Sequence, residues 1–200
     1  TDLAPQLGAR PGTWLADGSG FVASVGIGDG NHELFHIAVD GTSTQLTNVP
    51  NGSSPPAGGS LGHPRLSPDQ STLYFLMQGS DAPNTSGLFE MPWGGPVWHD
   101  VPGLAKTVYT PPGKTLSSLS MALYDDTAVI GQHDPKEAVI VALTGPPNPV
   151  VLPLVGTPSD LRYLPGGAVA YRDEAESLVR VWHPLTGDSV LFQAAEGVDV

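Results

Sequence analysis

The amino-acid sequence predicts an all-β chain built from four repeated units, on three observations. The first is a pattern that recurs four times: two short apolar runs joined by a polar turn, then two more joined by a Gly or Pro turn. The first turns lie in Thr13-Trp14-Leu15-Ala16-Asp17-Gly18-Ser19-Gly20-Phe21, Arg65-Leu66-Ser67-Pro68-Asp69-Gln70-Ser71, Ala122-Leu123-Tyr124-Asp125-Asp126-Thr127 and Arg162-Tyr163-Leu164-Pro165-Gly166-Gly167. The second turns are Asp40-Gly41, Gly94-Gly95, Gly145-Pro146 and Thr186-Gly187. The second observation is the spacing. Asp17, Asp69, Asp125 and Pro165 follow one another at 52, 56 and 40 residues, and roughly 40–50 residues is the length of one four-stranded propeller blade. The third is the character of the runs, which are short, rich in β-branched and aromatic residues, and bounded by Gly, Pro, Asp and Ser. Together they give a β-propeller with four blades of four antiparallel strands, near residues 8–48, 61–102, 116–153 and 156–193 of a single domain spanning 1–200.

Each unit contributes its strand signals in turn. Unit one supplies Phe21-Val22-Ala23-Ser24-Val25 and unit two Leu73-Tyr74-Phe75-Leu76-Met77. Unit three supplies Ala138-Val139-Ile140-Val141-Ala142-Leu143 and unit four Leu178-Val179-Arg180-Val181-Trp182. Several are apolar on both alternating faces, as expected where neighbouring blades bury both sides of a sheet. The only helix-like composition is Asp173-Glu174-Ala175-Glu176, far too short to hold a helix alone, and it reads as a charged loop between strands. The Pro-rich stretches from Val49 to Leu61 and from Val101 to Leu116 read as connections between blades.

Composition narrows the function classes. The chain has 200 residues, with Gly 25 and Pro 21, which suits many tight turns; its hydrophobic content of 40% supports a folded core. Only 8 Lys and Arg face 20 Asp and Glu, a net charge of -12. Phosphate contacts need clustered cations, so nucleic acid is excluded as a partner. There is no cysteine, which excludes disulfides, zinc thiolates and thiol catalysis. No apolar stretch approaches the ~20 residues of a membrane-spanning helix. Asn51-Gly52-Ser53 and Asn84-Thr85-Ser86 match glycosylation sequons, relevant only in a eukaryotic secretory route. The start at Thr1, with no leader in view, reads as a processed chain or a piece of one.

Three catalytic motifs appear, each in the wrong context. His32-Glu33-Leu34-Phe35-His36 matches H-E-x-x-H, but zinc chelation by that motif needs a helix. Here glycines precede it and the run Ile37-Ala38-Val39-Asp40-Gly41 follows, so it reads as strand, where positions i and i+4 lie about 13 Å apart. Gly58-Gly59-Ser60-Leu61-Gly62 matches G-x-S-x-G, but a nucleophile elbow needs a strand before it and a helix after it, and this segment sits in a Pro-rich connection. Gly26-Ile27-Gly28-Asp29-Gly30-Asn31 lacks the last glycine of a dinucleotide fingerprint. On this reading no nucleophile–base pair, metal cluster or cofactor site is assembled.

One regularity points to binding. In every unit the loop between the second and third strands carries an acid: Asp29, Asp81, Asp134 and Asp173. In a propeller these loops share one face. Loops on a rigid β scaffold carry binding residues, and an acidic rim attracts a basic protein or peptide. Those four residues are the predicted binding site.

The segment Pro64-Arg65-Leu66-Ser67-Pro68-Asp69-Gln70-Ser71 followed by Leu73-Tyr74-Phe75 resembles the repeat of TolB-like, WD40-like β-propellers, in which an S-P-D-G turn joins the first two strands of a blade. Glu33-Leu34-Phe35-His36-Ile37-Ala38-Val39-Asp40-Gly41, closing at Gln45-Leu46-Thr47, is similar to the same family's third strand, turn and final Leu-Thr. The third and fourth units depart from it, with Tyr124-Asp125-Asp126 and Leu164-Pro165-Gly166 in place of the turn. The resemblance implies a propeller that binds proteins or peptides, often exported to the periplasm or beyond in bacteria, and hence a non-catalytic scaffold module. The alternative is the propeller of a hydrolase, a peptidase or a metal-dependent enzyme. In that case ligands on inner strands are expected, with His63 and Asp160 as candidates. Propellers run from four to eight blades. A portion of a six- to eight-bladed ring is therefore expected, with a dimer or a closed four-bladed ring as alternatives.

Overall fold

The computed structural model describes residues 9–28, 31–48, 59–79, 86–96, 105–110, 121–133, 136–146, 148–156, 158–173 and 175–193. Among them there is no helix, and none long and apolar enough to cross a membrane. Sixteen strands among the described residues form four sheets, each an antiparallel meander of consecutive strands. The first holds β1 (Ala9–Trp14), β2 (Gly20–Gly28), β3 (Asn31–Ala38) and β4 (Ser43–Gln45). The second holds β5 (Gly59–Leu66), β6 (Thr72–Gly79), β7 (Gly87–Pro92) and β8 (Lys106–Tyr109). The third holds β9 (Met121–Tyr124), β10 (Thr127–His133), β11 (Lys136–Ala142) and β12 (Val150–Leu152). The fourth holds β13 (Pro158–Leu164), β14 (Ala168–Asp173), β15 (Leu178–His183) and β16 (Gly187–Gln193).

The all-β fold and the four-by-four count follow the sequence reading, with one boundary corrected. The second sheet does not end near residue 102. Its fourth strand is β8, inside the stretch from Val101 to Leu116 that reads as a connection. The flanking prolines mask a short run of good β-formers, Lys106-Thr107-Val108-Tyr109, which pairs with Leu88, Phe89 and Glu90.

The chain divides into two compact units, 1–115 and 116–200. In the first, two sheets share one core. Leu34 and Val22 from the first sheet meet Leu61, Leu73, Phe75 and Met77 from the second, all fully buried. Phe75 stacks on Phe89 at 6.0 Å. Polar ties cross the same interface: Ser24 Oγ donates to the Leu61 carbonyl at 2.6 Å, and Arg65 Nη1 to the Gly12 carbonyl at 2.9 Å. Five successive β6 residues, Leu73 to Met77, are buried, so this strand has no solvent face. The second unit repeats the plan with smaller residues. Ala122, Val129 and Ala138 of the third sheet pack on Leu161, Val169 and Tyr171 of the fourth, and the Tyr124 and Tyr163 rings approach to 5.5 Å.

Three turns have one chemistry. Asp17, Asp40 and Asp69 each accept the backbone N–H two residues on, at 2.9, 2.9 and 3.1 Å, and the hydroxyl of the same Ser or Thr. Asp69 also accepts the Ser67 hydroxyl at 2.6 Å. Bonds to the charged form, for Asp69 the Ser67 hydroxyl first, hold all three carboxyls below their usual range. The residue after each Asp is left-handed: Gly18 at φ 69°, Gly41 at 89° and Gln70 at 55°. Asp125 departs from the expectation that it matches Asp17 and Asp69. It and Asp126 form a two-residue turn, between the partners Tyr124 and Thr127, in which Asp125 itself takes φ 50°.

Gln70 occupies a conformation that costs an L-residue roughly 1–2 kcal/mol, where the two equivalent turns use glycine. Gln70→Gly is expected to raise stability by about 0.5–1 kcal/mol after the entropy that glycine loses on folding. A thermal melt checks this, and a lower midpoint would show that the Gln70 side chain contributes more than its backbone costs.

Candidate functional site

The topology places the predicted loops at matching ends of their sheets. Asp29 falls between β2 and β3, Asp81 between β6 and β7, and Asp134 between β10 and β11. All three lie outside the described residues. The neighbouring strand ends are described. Gly59 and Ser60 open β5 opposite Gly79 and Gln78, the last residues before the Asp81 loop. Gly28 pairs with Asn31 across the Asp29 loop.

Asp173 is described, and it departs from the solvent-facing position expected of a rim residue. Its side chain is 1% exposed, and its Oδ2 accepts Arg180 Nε at 3.1 Å. Its Oδ1 accepts the Ala175 N–H at 3.1 Å. Arg180 reaches two more carboxylates, Asp188 at 3.3 Å and Glu176 at 2.9 Å. The Tyr171 hydroxyl lies against Asp188 and the Val155 backbone. Burial first, and then the Asp188 carboxylate, push the Tyr171 phenol well above its ordinary range. Gly156, at φ 78°, leaves room for the Asp173 carboxylate, which any Cβ there would strike. Asp173 therefore belongs to an internal ion network. Sequence reasoning passed over Arg180 as part of a plain strand, although a lone cation inside Leu178-Val179-Arg180-Val181-Trp182 was the available signal.

His63 and Asp160 occupy equivalent places. The first strand of three sheets changes register, between Arg10 and Thr13, Gly62 and Arg65, and Ser159 and Arg162. His63 at φ 52° and Asp160 at φ 49° sit inside the last two. Bulges of this kind bend the strand and re-aim side chains. His63 is half-buried in the first unit and Asp160 is exposed in the second. Among the described residues no group of His, Asp and Glu is arranged to hold a metal ion.

Of the two hydrolase-like motifs one departs from its sequence reading: Gly59 to Gly62 opens strand β5 rather than lying in a connection. His32-Glu33-Leu34-Phe35-His36 is strand, within β3, as expected. Its residues separate: Glu33 is buried and accepts Thr47 Oγ1 at 2.7 Å, while His36 Nε2 is buried without a hydrogen-bond partner. The third residue does something the sequence concealed. His32 Nδ1 lies 2.8 Å from the hydroxyl of Ser60, the serine of the G-x-S-x-G match. Neither motif's sequence reading anticipates this contact between an imidazole and a hydroxyl. The fold joins one residue from each motif across 28 positions of chain, because β3 and the start of β5 face each other between the first two sheets. The contact lies at the β2–β3 end of the first sheet and the β6–β7 end of the second.

No family model and no curated protein matches the chain in sequence. Solved structures match it in fold. TolB from Acinetobacter baumannii aligns with a TM-score of 0.61 at 11% identity, over 93% of this chain and 43% of its own. A putative gluconolactonase aligns at 0.62 and 13%, over 93% and 63%. The calcium-binding protein regucalcin from Agrobacterium tumefaciens aligns at 0.57 and 15%, over 86% and 55%. The chain thus spans about half the length of these proteins. At such identities the likeness is one of fold: four-stranded antiparallel blades of the propeller type, as the TolB-like repeat implies.

Proposed function

We propose that this chain is an exported protein-binding propeller module that receives a basic protein or peptide at its second-to-third-strand loops, which carry Asp29 and Asp81 in the first unit and Asp134 in the second. One observation supports it most. The loop ends of the first two sheets meet at the His32–Ser60 contact, and Asp29 and Asp81 are the acids that follow those ends in sequence. The net charge of -12 with only 8 cations extends the same field over the molecule. Asp173 is left out of the set, because its carboxylate is already matched by Arg180. The export reading comes from the TolB-like repeat alone. TolB and enzymes share this fold, and fold does not fix function.

The test is the triple variant Asp29→Asn, Asp81→Asn, Asp134→Asn. A partner is first recovered from the native host, and its association rate with both forms is then measured. Rim charges act chiefly on encounter. Association is expected to slow about tenfold at low salt and to converge with the parent near 0.5 M salt, where screening is strong. Equal rates at low salt would overturn the reading.

A further inference from the structure

We propose that Ser60 is a reactive nucleophile activated by His32, and that the pair hydrolyses small neutral or cationic esters. The inference shares the His32–Ser60 contact with the protein-binding reading but requires no protein partner, so its test can fail without touching that reading. It starts from the 2.8 Å contact between Ser60 Oγ and His32 Nδ1, which is within the reach a general base needs. With the imidazole proton on Nε2, Nδ1 accepts the serine hydroxyl. Both residues are half-buried. The ring lies over Gly26, where even an added Cβ would stand 3.7 Å from Nε2. The cross-strand neighbour of His32 is thus bare backbone, which leaves the ring space.

A purely structural role explains the contact less well. The Ser24–Leu61 and Arg65–Gly12 bonds already tie the first two sheets together. A further neutral bond at a half-exposed position adds little to an interface held by a buried apolar core.

The chemistry balances with water as the only co-reactant. Ser60 Oγ bonds to the acyl carbon as His32 Nδ1 takes the hydroxyl proton. The bond from that carbon to the leaving oxygen breaks, and the proton passes from Nδ1 to the departing alcohol. Water then attacks the acyl-serine with His32 again taking a proton, which returns to Ser60 Oγ as the acid leaves. Asp29 lies close to His32 in sequence and the chain carries -12, so anionic esters are disfavoured as substrates.

The full chain is treated with a fluorophosphonate and the adduct located by peptide mass spectrometry, with 4-nitrophenyl acetate hydrolysis followed in parallel. A single adduct on Ser60 is expected, and Ser60→Ala should abolish both signals. His32→Asn keeps a polar side chain beside Ser60 but supplies no base, and should slow labelling at least about 100-fold. In the parent protein the labelling rate should rise with pH as the imidazole gives up its proton, because only the neutral ring can accept the hydroxyl proton. The pH profile needs no variant and so does not depend on how the substitutions fold. An adduct elsewhere, no adduct, a pH-independent rate on Ser60, or equal labelling of a folded His32→Asn variant would each overturn the proposal.

Discussion

Arg180→Met is expected to destabilise the second unit more than any other single charge change in it. The guanidinium is 11% exposed and holds three carboxylates, of which Asp173 is 1% exposed and Asp188 10%. Methionine fills much of the same volume but leaves the Asp173 carboxylate buried without its cation. A charge stranded in this way costs about 3–5 kcal/mol. The check is a urea titration followed by the fluorescence of Trp182, which packs against the same core. The double variant Arg180→Met, Asp173→Leu should recover most of the loss, because removing both partners of a buried pair costs far less than removing one. If the single variant unfolds at the parent midpoint, the network contributes nothing to stability.

Phe75→Ala should cost the first unit a comparable amount, about 3–5 kcal/mol. Phe75 is fully buried in β6, stacked on Phe89, and flanked by neighbours that are themselves buried on both faces. Little around it is free to collapse into the space left behind. Phe75→Leu keeps most of the volume and should lose much less. Equilibrium unfolding of the two variants separates packing from simple hydrophobicity. Equal losses would mean that the ring stacking, rather than the cavity, sets the cost.

The fold was legible because its signals are local. Turns such as Asp69-Gln70-Ser71 and runs such as Leu73 to Met77 specify hairpins within a few residues, and Asp17, Asp40 and Asp69 close their turns with their own carboxylates. Legibility failed where the deciding partner lies far along the chain. Lys106 to Tyr109 reads as linker until Leu88 and Phe89 are seen to pair with it. Asp173 reads as one of four loop acids until Arg180 turns toward it. Ser60 and His32 were each set aside because the usual motif surrounds them with a helix, and neither motif announces that two β-sheets bring them together. Local context judges a motif's backbone well, but it cannot judge contacts between motifs.

The strictly consecutive strand order also bears on how the chain comes into being. In each sheet a strand hydrogen-bonds only to the one made just before it and the one made just after it. No described strand waits on the ribosome for a sheet partner encoded far downstream, which is the circumstance that leaves many β proteins exposed to aggregation while they are being synthesised. β6, apolar on both faces, is the segment most hazardous to leave uncovered. Its hairpin partner β5 precedes it, and the first sheet that shares its core is already complete when β6 emerges. Translation itself supplies the shelter that a strand of this composition requires.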